Sequence, residues 1–316
     1  MNSKLKIVTL KKSYNIHDSA LFKVRSLKHL AKVLLIDSEK LNDLSFIKDQ
    51  YRIFTITGKS GKEREIQNPT GLLAQIHSRI ASLLCRIKTP DYLHSGKKGR
   101  SNVTNAKYHT GHNLQVLTVD LVDFYPSTTS NKILNFFLYT MKCSYKVACI
   151  LTTLCSYNEK LPTGSQISMP LAYFANCLMF REIEALSNKH NIKMSVYVDD
   201  ITFSGEKITR LFYSLIKKIV VRHGHSLKHT KTRFYKKSSA KLITGVVVKD
   251  ANLLIRNKHH QEIYQTKELL SIAILSDSKE QIGSLRLKLI GKLHACGSID
   301  AKAKSEAYYY QRQSIN

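Results

Sequence analysis

In residues 192–204, IKMSVYVDDITFS, two apolar runs meet at Asp199-Asp200. The pattern predicts an antiparallel hairpin with two carboxylates at its tip. A turn alone accounts for most such pairs, so this one gains meaning from its company. A third carboxylate, Asp120, ends another short apolar strand at 115–121. Three carboxylates brought together repel unless a divalent cation holds them, and an oxygen-rich donor set suits Mg²⁺ or Mn²⁺. Two such ions about 3.5–4 Å apart activate a 3′-hydroxyl and stabilise a departing pyrophosphate in an in-line phosphoryl transfer.

These acids are exceptions in a chain with 50 Lys+Arg against 23 Asp+Glu, a formal charge of +27. Such an excess gathers polyanions by counterion release, which makes nucleic acid the first partner to consider and an anionic membrane surface the second. About half of the surplus falls after residue 200. Hydrophobic residues at 43% and charged residues at 23% exclude wholesale disorder and fibrous repeats. At 316 residues the chain has room for about two domains. No apolar run is long enough to span a membrane, and the N-terminal stretch lacks a signal-peptide pattern, so a cytoplasmic protein without membrane segments is expected. The six cysteines form no C-x-x-C pair and read as free thiols in a reducing compartment. With only 13 Gly and 5 Pro, a helix-rich chain is expected.

Along the chain, 27–46 reads as one amphipathic segment of an N-terminal helical extension, with Leu30, Val33, Leu34, Leu41 and Leu44 near helical spacing. Residues 51–69 alternate around Gly-Lys-Ser-Gly, a β-hairpin with a basic tip. Leu72, Ile76, Ile80, Leu83, Leu84 and Ile87 predict a helix with a single buried face. The polar stretch 93–113 reads as an exposed loop bearing anion-binding groups. Helices follow over 131–141, 145–155, 171–186 and 208–222, then basic strands around a turn. The tail after 251 is helical, with Leu269, Leu270, Ile272, Leu285, Leu287, Leu289 and Ile290 as its apolar set. Irregular alternation of strands and helices favours an α+β or split βαβ arrangement over a doubly wound parallel sheet.

Five ordered boxes together resemble reverse transcriptases. Tyr197-Val198-Asp199-Asp200 matches the family's Y-x-D-D, and Asp120-Leu121-Val122-Asp123-Phe124-Tyr125 resembles its first carboxylate motif. Leu161 to Ser168, LPTGSQIS, resembles L-P-Q-G-x-x-x-S, with Asn176 where the following helix carries an Asn. Asn105-Ala106-Lys107-Tyr108-His109 fits the N-A-x-x-H signature of bacterial retron enzymes, and Ile243-Thr244-Gly245 resembles their V-T-G box. The resemblance spans roughly 51–248. One departure is Thr163 in place of the usual Gln; it is too short to reach a nucleotide sugar in the same way.

The resemblance implies a right-hand α+β fold: an N-terminal helical extension at 1–50, fingers at 51–114, and a palm at 115–250 with an antiparallel split βαβ sheet and interleaved fingers segments. A helical thumb would occupy 251–316. It implies that Asp120, Asp199 and Asp200 are catalytic and bind two Mg²⁺, or Mn²⁺, with the Leu121 carbonyl as a further ligand. Lys62 and Arg64 would hold the triphosphate, with Asp123, Gly164 and Lys231 also at the nucleotide. Tyr125 would exclude the 2′-hydroxyl of a ribonucleotide. Asn105 and His109, with Tyr308 and Arg312 near the C-terminus, would bind RNA.

The implied activity is that of a retron reverse transcriptase, an RNA-directed DNA polymerase. It would use dNTPs to copy a cognate structured noncoding RNA, priming from the 2′-hydroxyl of an internal guanosine, to give branched msDNA. An effector protein in antiphage defence would be a further partner. A group II intron or diversity-generating reverse transcriptase is the second reading, disfavoured by the lack of room for maturase or endonuclease domains after the thumb. A non-enzymatic basic RNA-binding scaffold predicts loss of a metal carboxylate, and all three are present.

Overall fold

The computed structural model describes residues 13–43, 47, 50–58, 61 and 63–313. Lys62, Leu44 and Phe46 lie outside the described residues. In chain order the helices and strands are α1 Leu27–Leu34, α2 Ser38–Asn42, β1 Tyr51–Thr57, β2 Glu63–Pro69, α3 Gly71–Leu84, α4 Asn102–Lys107 and β3 Gln115–Asp120. Next come α5 Ser130–Asn135, which continues into a π turn at Phe136–Thr140, α6 Tyr145–Cys155, α7 Ser168–Ala175, α8 Cys177–Lys189, β4 Lys193–Tyr197 and β5 Asp200–Gly205. The remainder comprises α9 Arg210–Arg222, the short strands β6 Arg233–Tyr235, β7 Lys241–Ile243, β8 Val246–Lys249 and β9 Asn252–Leu254, then α10 Asn257–Leu275, α11 Lys279–Gly297 and α12 Ala301–Arg312. Helices combined with antiparallel strands give an α+β fold.

Two discontinuous units are present: residues 1–98, 119–201 and 209–232 in one, and 99–118, 202–208 and 233–316 in the other. A four-stranded sheet has the order β4-β5-β3-β6. Its strands β3 and β5 each pass along the chain from one unit into the other.

In the first unit, β1 and β2 form the expected hairpin, in register from Tyr51 opposite Pro69 to Thr57 opposite Glu63. The expected single buried face of α3 is corrected. Ala74, Ile76, His77, Ser78, Ile80 and Ala81 are all buried, because α1, β2, α6 and α7 surround the helix. The segment expected as one amphipathic helix breaks after Leu34, where Leu35 takes a left-handed φ of 61°. The helix expected over 171–186 divides at Asn176. Its side-chain amide donates to Thr128 Oγ1 and to the Ala172 carbonyl, both at 2.9 Å, and its Oδ1 lies 2.7 Å from His225 Nε2.

In the second unit, β7 and β8 are joined by Thr244-Gly245, with φ of 45° and 85°. Positive φ at both positions is the type I′ hairpin turn. Ala106, Val116, Ile243, Val246 and Val248 form a core beside it. Helices α10–α12 enclose their own core of Leu270, Leu289, Leu293, Ala303 and Ala307. Leu269, Ile272 and Leu287, expected in that apolar set, are exposed. Among the described residues no helix is long and apolar enough to cross a membrane.

Candidate active site

The carboxylates gather where β3 ends and where β4 turns into β5, within the first unit. Leu121 N donates to the Asp199 carbonyl at 2.9 Å, tying the end of β3 to that turn. Lys228 N donates to the Asp120 carbonyl at 2.8 Å. The chain then makes a short 3₁₀ turn, His229–Lys231, from which the Lys231 ammonium donates to the Asp120 carboxylate. Asp120 is only 4% exposed, and the Lys231 ammonium supplies the hydrogen bond that a buried carboxyl needs.

Burial raises the pKa of Asp199, and the neighbouring Asp120 charge adds to it; Lys231 and Arg64 pull the other way. Asp200 is pushed up to about 7, by burial first and then by the charges of Asp199 and Asp120. Lys231 is raised, its hydrogen bond to Asp120 and the three acid charges together outweighing its burial. Three acids within electrostatic reach of one another, with an ammonium drawn onto one of them, form an oxygen donor set that favours added positive charge. Among the described residues no three His, Cys, Asp or Glu side chains form a group that could hold a metal ion as they stand. In this structure the positive charge beside Asp120 is the Lys231 ammonium.

The turn itself is strained. Residues 198 and 199 connect the strands, and Val198 has φ of 60°, a region unusual for a β-branched residue and costing about 1–3 kcal/mol. The Ser95 hydroxyl accepts from Val198 N at 3.0 Å and holds it there. Ser95 is buried, and His94 N donates to the Val196 carbonyl at 2.9 Å. The expectation of an exposed loop is therefore corrected for the start of 93–113, where Leu93, His94 and Ser95 are buried and His94 and Ser95 support the acidic turn.

Tyr125 is half-buried beside Phe124, with ring centroids 6.0 Å apart. Its phenol is pushed up to about 12, by burial first and then by the charges of Asp199 and Tyr197. Asp123 is exposed, with φ of 43°. Arg64 is exposed on β2, opposite Ile56, and its charge is felt at Asp199. Gly164 packs directly on β2: a Cβ there would lie 2.6 Å from Ile66 Cγ2 and 2.8 Å from the Gln67 carbonyl oxygen.

Asn105 and His109, expected as RNA contacts in an exposed loop, are buried in the second unit. Asn105 Nδ2 donates to Thr244 Oγ1 at 3.4 Å, and that hydroxyl donates to the Asn102 carbonyl at 2.8 Å. The Asn-Ala and Thr-Gly boxes thus meet, and α4 steadies the left-handed Thr244. His109 Nδ1 lies 2.7 Å from Ser204 Oγ. Tyr308 and Arg312 are exposed one turn apart on α12, as a surface contact requires.

Sequence reasoning missed Ser95, Gln67 and His77. Gln67 accepts from Thr163 N at 3.0 Å, and His77 Nδ1 lies 2.6 Å from Ser165 Oγ. Each reaches its partner only through the tertiary fold, so no local pattern marks it.

Comparison with known proteins agrees with the ordered motifs. The chain is 32% identical over 241 residues to the Retron Se72 reverse transcriptase of Salmonella heidelberg (strain 579083-10), covering 72% of this chain and 62% of that protein. It is 24% identical over 257 residues to the Retron Ec86 reverse transcriptase of Escherichia coli, covering 79% of this chain and 80% of that one. Among solved structures, a foamy viral protease-reverse transcriptase in complex with double-stranded DNA is 14% identical. The match covers 78% of this chain and 36% of that one, with a TM-score of 0.42. No family model matches. Over most of its length the chain is therefore similar to retron reverse transcriptases, and it spans 62% of the first of these two relatives and 80% of the second.

Proposed function

We propose that the chain is an RNA-directed DNA polymerase of the retron type. The observation that carries the reading is the grouping of Asp120, at the end of β3, with Asp199 and Asp200 at the β4–β5 turn, where burial first and then the other two acids raise the pKa of Asp200. The retron homologues support the same assignment. In this reading residues 51–114 are fingers, 115–250 palm and 251–316 thumb, after a helical extension.

Asp120, Asp199, Asp200 and the Leu121 carbonyl would hold two divalent cations, with Mg²⁺ the preferred ion. A bound pair supplies charge stabilisation at the attacking and leaving oxygens. The protein's own groups perform the rest. Arg64, with Lys62, binds the triphosphate of the incoming dNTP, guanidinium matching phosphate in a bidentate manner. Asp123 and Gly164 line the nucleotide's path, and Gly164 admits close backbone approach. The Tyr125 ring occupies the space a 2′-hydroxyl would need. Lys231, beside Asp120, would neutralise the departing pyrophosphate.

The template would be a structured noncoding RNA, primed from the 2′-hydroxyl of an internal guanosine to give branched msDNA. An effector protein in antiphage defence would complete the assembly. Tyr308 and Arg312 would contact the RNA by stacking and charge. Asn105 and His109 would act on RNA recognition indirectly, by fixing the Thr244 turn and the Ser204 strand.

The double variant Asp199→Asn/Asp200→Asn is expected to lose DNA synthesis while keeping its affinity for RNA. Retained synthesis would overturn the reading. Nucleic acid copurifying with the wild type should contain a 2′-branched RNA–DNA hybrid, and finding only linear RNA would remove the retron assignment.

A further inference from the structure

None of the residues assigned above to the reaction lines a cleft of about 330 Å³ in the first unit. Its walls are the 3₁₀ turn Ile16–Asp18, residues 87–90 after α3, Thr140 at the end of the π turn, and parts of α7 and α8. The floor is apolar and aromatic: Ile87, Tyr173, Phe174 and Cys177 are buried. Tyr173 is fixed by stacking on Phe180, with centroids 5.7 Å apart and planes 15° apart, and by its hydroxyl 3.2 Å from that of Tyr92. The entrance is basic, with Lys88, Arg181 and His17 all exposed. Among the described residues neither Lys88 nor Arg181 forms an ion pair, although Arg181 lies near enough to Glu184 to offset part of the rise that burial gives its pKa. Asn15 and Thr140 add an amide and a hydroxyl to the lining.

The cleft is built rather than left over between loose segments. Tyr14 N donates to the Arg86 carbonyl at 3.0 Å, and Lys88 N donates to the Tyr14 carbonyl at 2.7 Å. The 3₁₀ turn is thereby fastened beside the segment that carries Lys88. A π turn is a rare break in helical pairing that often accompanies functional sites, and here its last residue lines the cleft.

We infer that this cleft takes one unpaired nucleotide of the bound RNA, its base on the Tyr173–Phe174 floor and its adjoining phosphate on Lys88 and Arg181. The inference rests on the RNA-binding reading given above. A volume at the small end for ligand pockets excludes a stacked duplex and suits a single base. Asn15 and Thr140 offer hydrogen bonds to base edges, and unpaired bases are what proteins read in RNA. An acidic peptide would satisfy the two cations but would leave unused the aromatic floor, where the Tyr173 and Phe174 rings meet edge to face with planes 70° apart.

The test uses the full chain and a short fluorescein-labelled single-stranded RNA of mixed sequence, read by anisotropy, beside the same RNA annealed to its complement. Lys88→Glu/Arg181→Glu should weaken single-strand binding about tenfold. The equal charge change Lys217→Glu/Lys218→Glu, on exposed positions of α9, should weaken it far less, and duplex binding should not distinguish the two pairs. Ile16→Trp, which fills the cleft without altering charge, should also weaken single-strand binding; it guards against a charge-reversed protein that fails to fold. If the cleft pair and Ile16→Trp bind the single strand no worse than the control pair, the inference is overturned, and a protein segment would be the better occupant. If the wild type binds neither RNA and makes no DNA, the functional reading fails and this one with it.

Discussion

The Thr163 hydroxyl donates to the Glu65 carbonyl at 2.9 Å, so the 161–168 turn is fastened to the backbone of β2. Thr163 N adds a bond to Gln67 Oε1, and Gly164 leaves no room for a Cβ against Ile66 and Gln67. The residue that departs from the reverse-transcriptase pattern therefore fixes the strand that carries Arg64. Thr163→Val should cost about 1 kcal/mol in thermal unfolding and raise KM for dNTP more than it lowers kcat. Thr163→Ser should keep both values. A KM unchanged in Thr163→Val would show that this contact does not position Arg64.

Ser95 restrains Val198 at a φ that valine disfavours. Removing that acceptor lets the turn relax and moves Asp199, the next residue. Ser95→Ala should therefore reduce kcat severalfold with little change in RNA affinity, and Ser95→Thr should recover part of the loss. Primer-extension rates at saturating dNTP decide it; equal rates for wild type and Ser95→Ala would mean that the turn holds its shape unaided.

For Tyr125, the half-buried ring beside Phe124 suits a steric gate. Tyr125→Ala should raise ribonucleotide incorporation relative to deoxynucleotide, whereas Tyr125→Phe should leave the ratio near wild type because the ring provides the exclusion. Competition between the two nucleotide types on one primer measures this. Unchanged selectivity in Tyr125→Ala would place discrimination elsewhere.

Period and turn chemistry made the β1–β2 hairpin, the acidic turn and most helices legible, because those signals are local. Long-range partners were not legible. Asn105 and His109 sit in a polar stretch that reads as exposed, yet they are buried by pairing with Thr244 and Ser204, 139 and 95 residues away. Asn176 divides a helix whose apolar pattern runs on through it, because its amide is held by Thr128 and Ala172. The three acids could be named from motif spacing, whereas the Lys231 ion pair with Asp120 and the Ser95 restraint required the fold.

His77 gives stability a pH dependence whose sign follows from its partners. Its Nε2 lies 2.6 Å from the Leu154 carbonyl and must donate, and its Nδ1 accepts from Ser165. Burial, opposed by that backbone bond, lowers its pKa from 6.5 to about 4. Between those values the unfolded chain binds the proton and the folded chain does not, so stability falls as pH drops through this window and levels off below it. From about pH 7.5 to 5.5 the His77 share of the loss is about 1 kcal/mol. His77→Gln removes the titration but keeps a donor for the Leu154 carbonyl. Its urea-unfolding free energy should therefore fall less over that range than the wild-type value, and parallel curves would show that His77 contributes nothing to acid sensitivity.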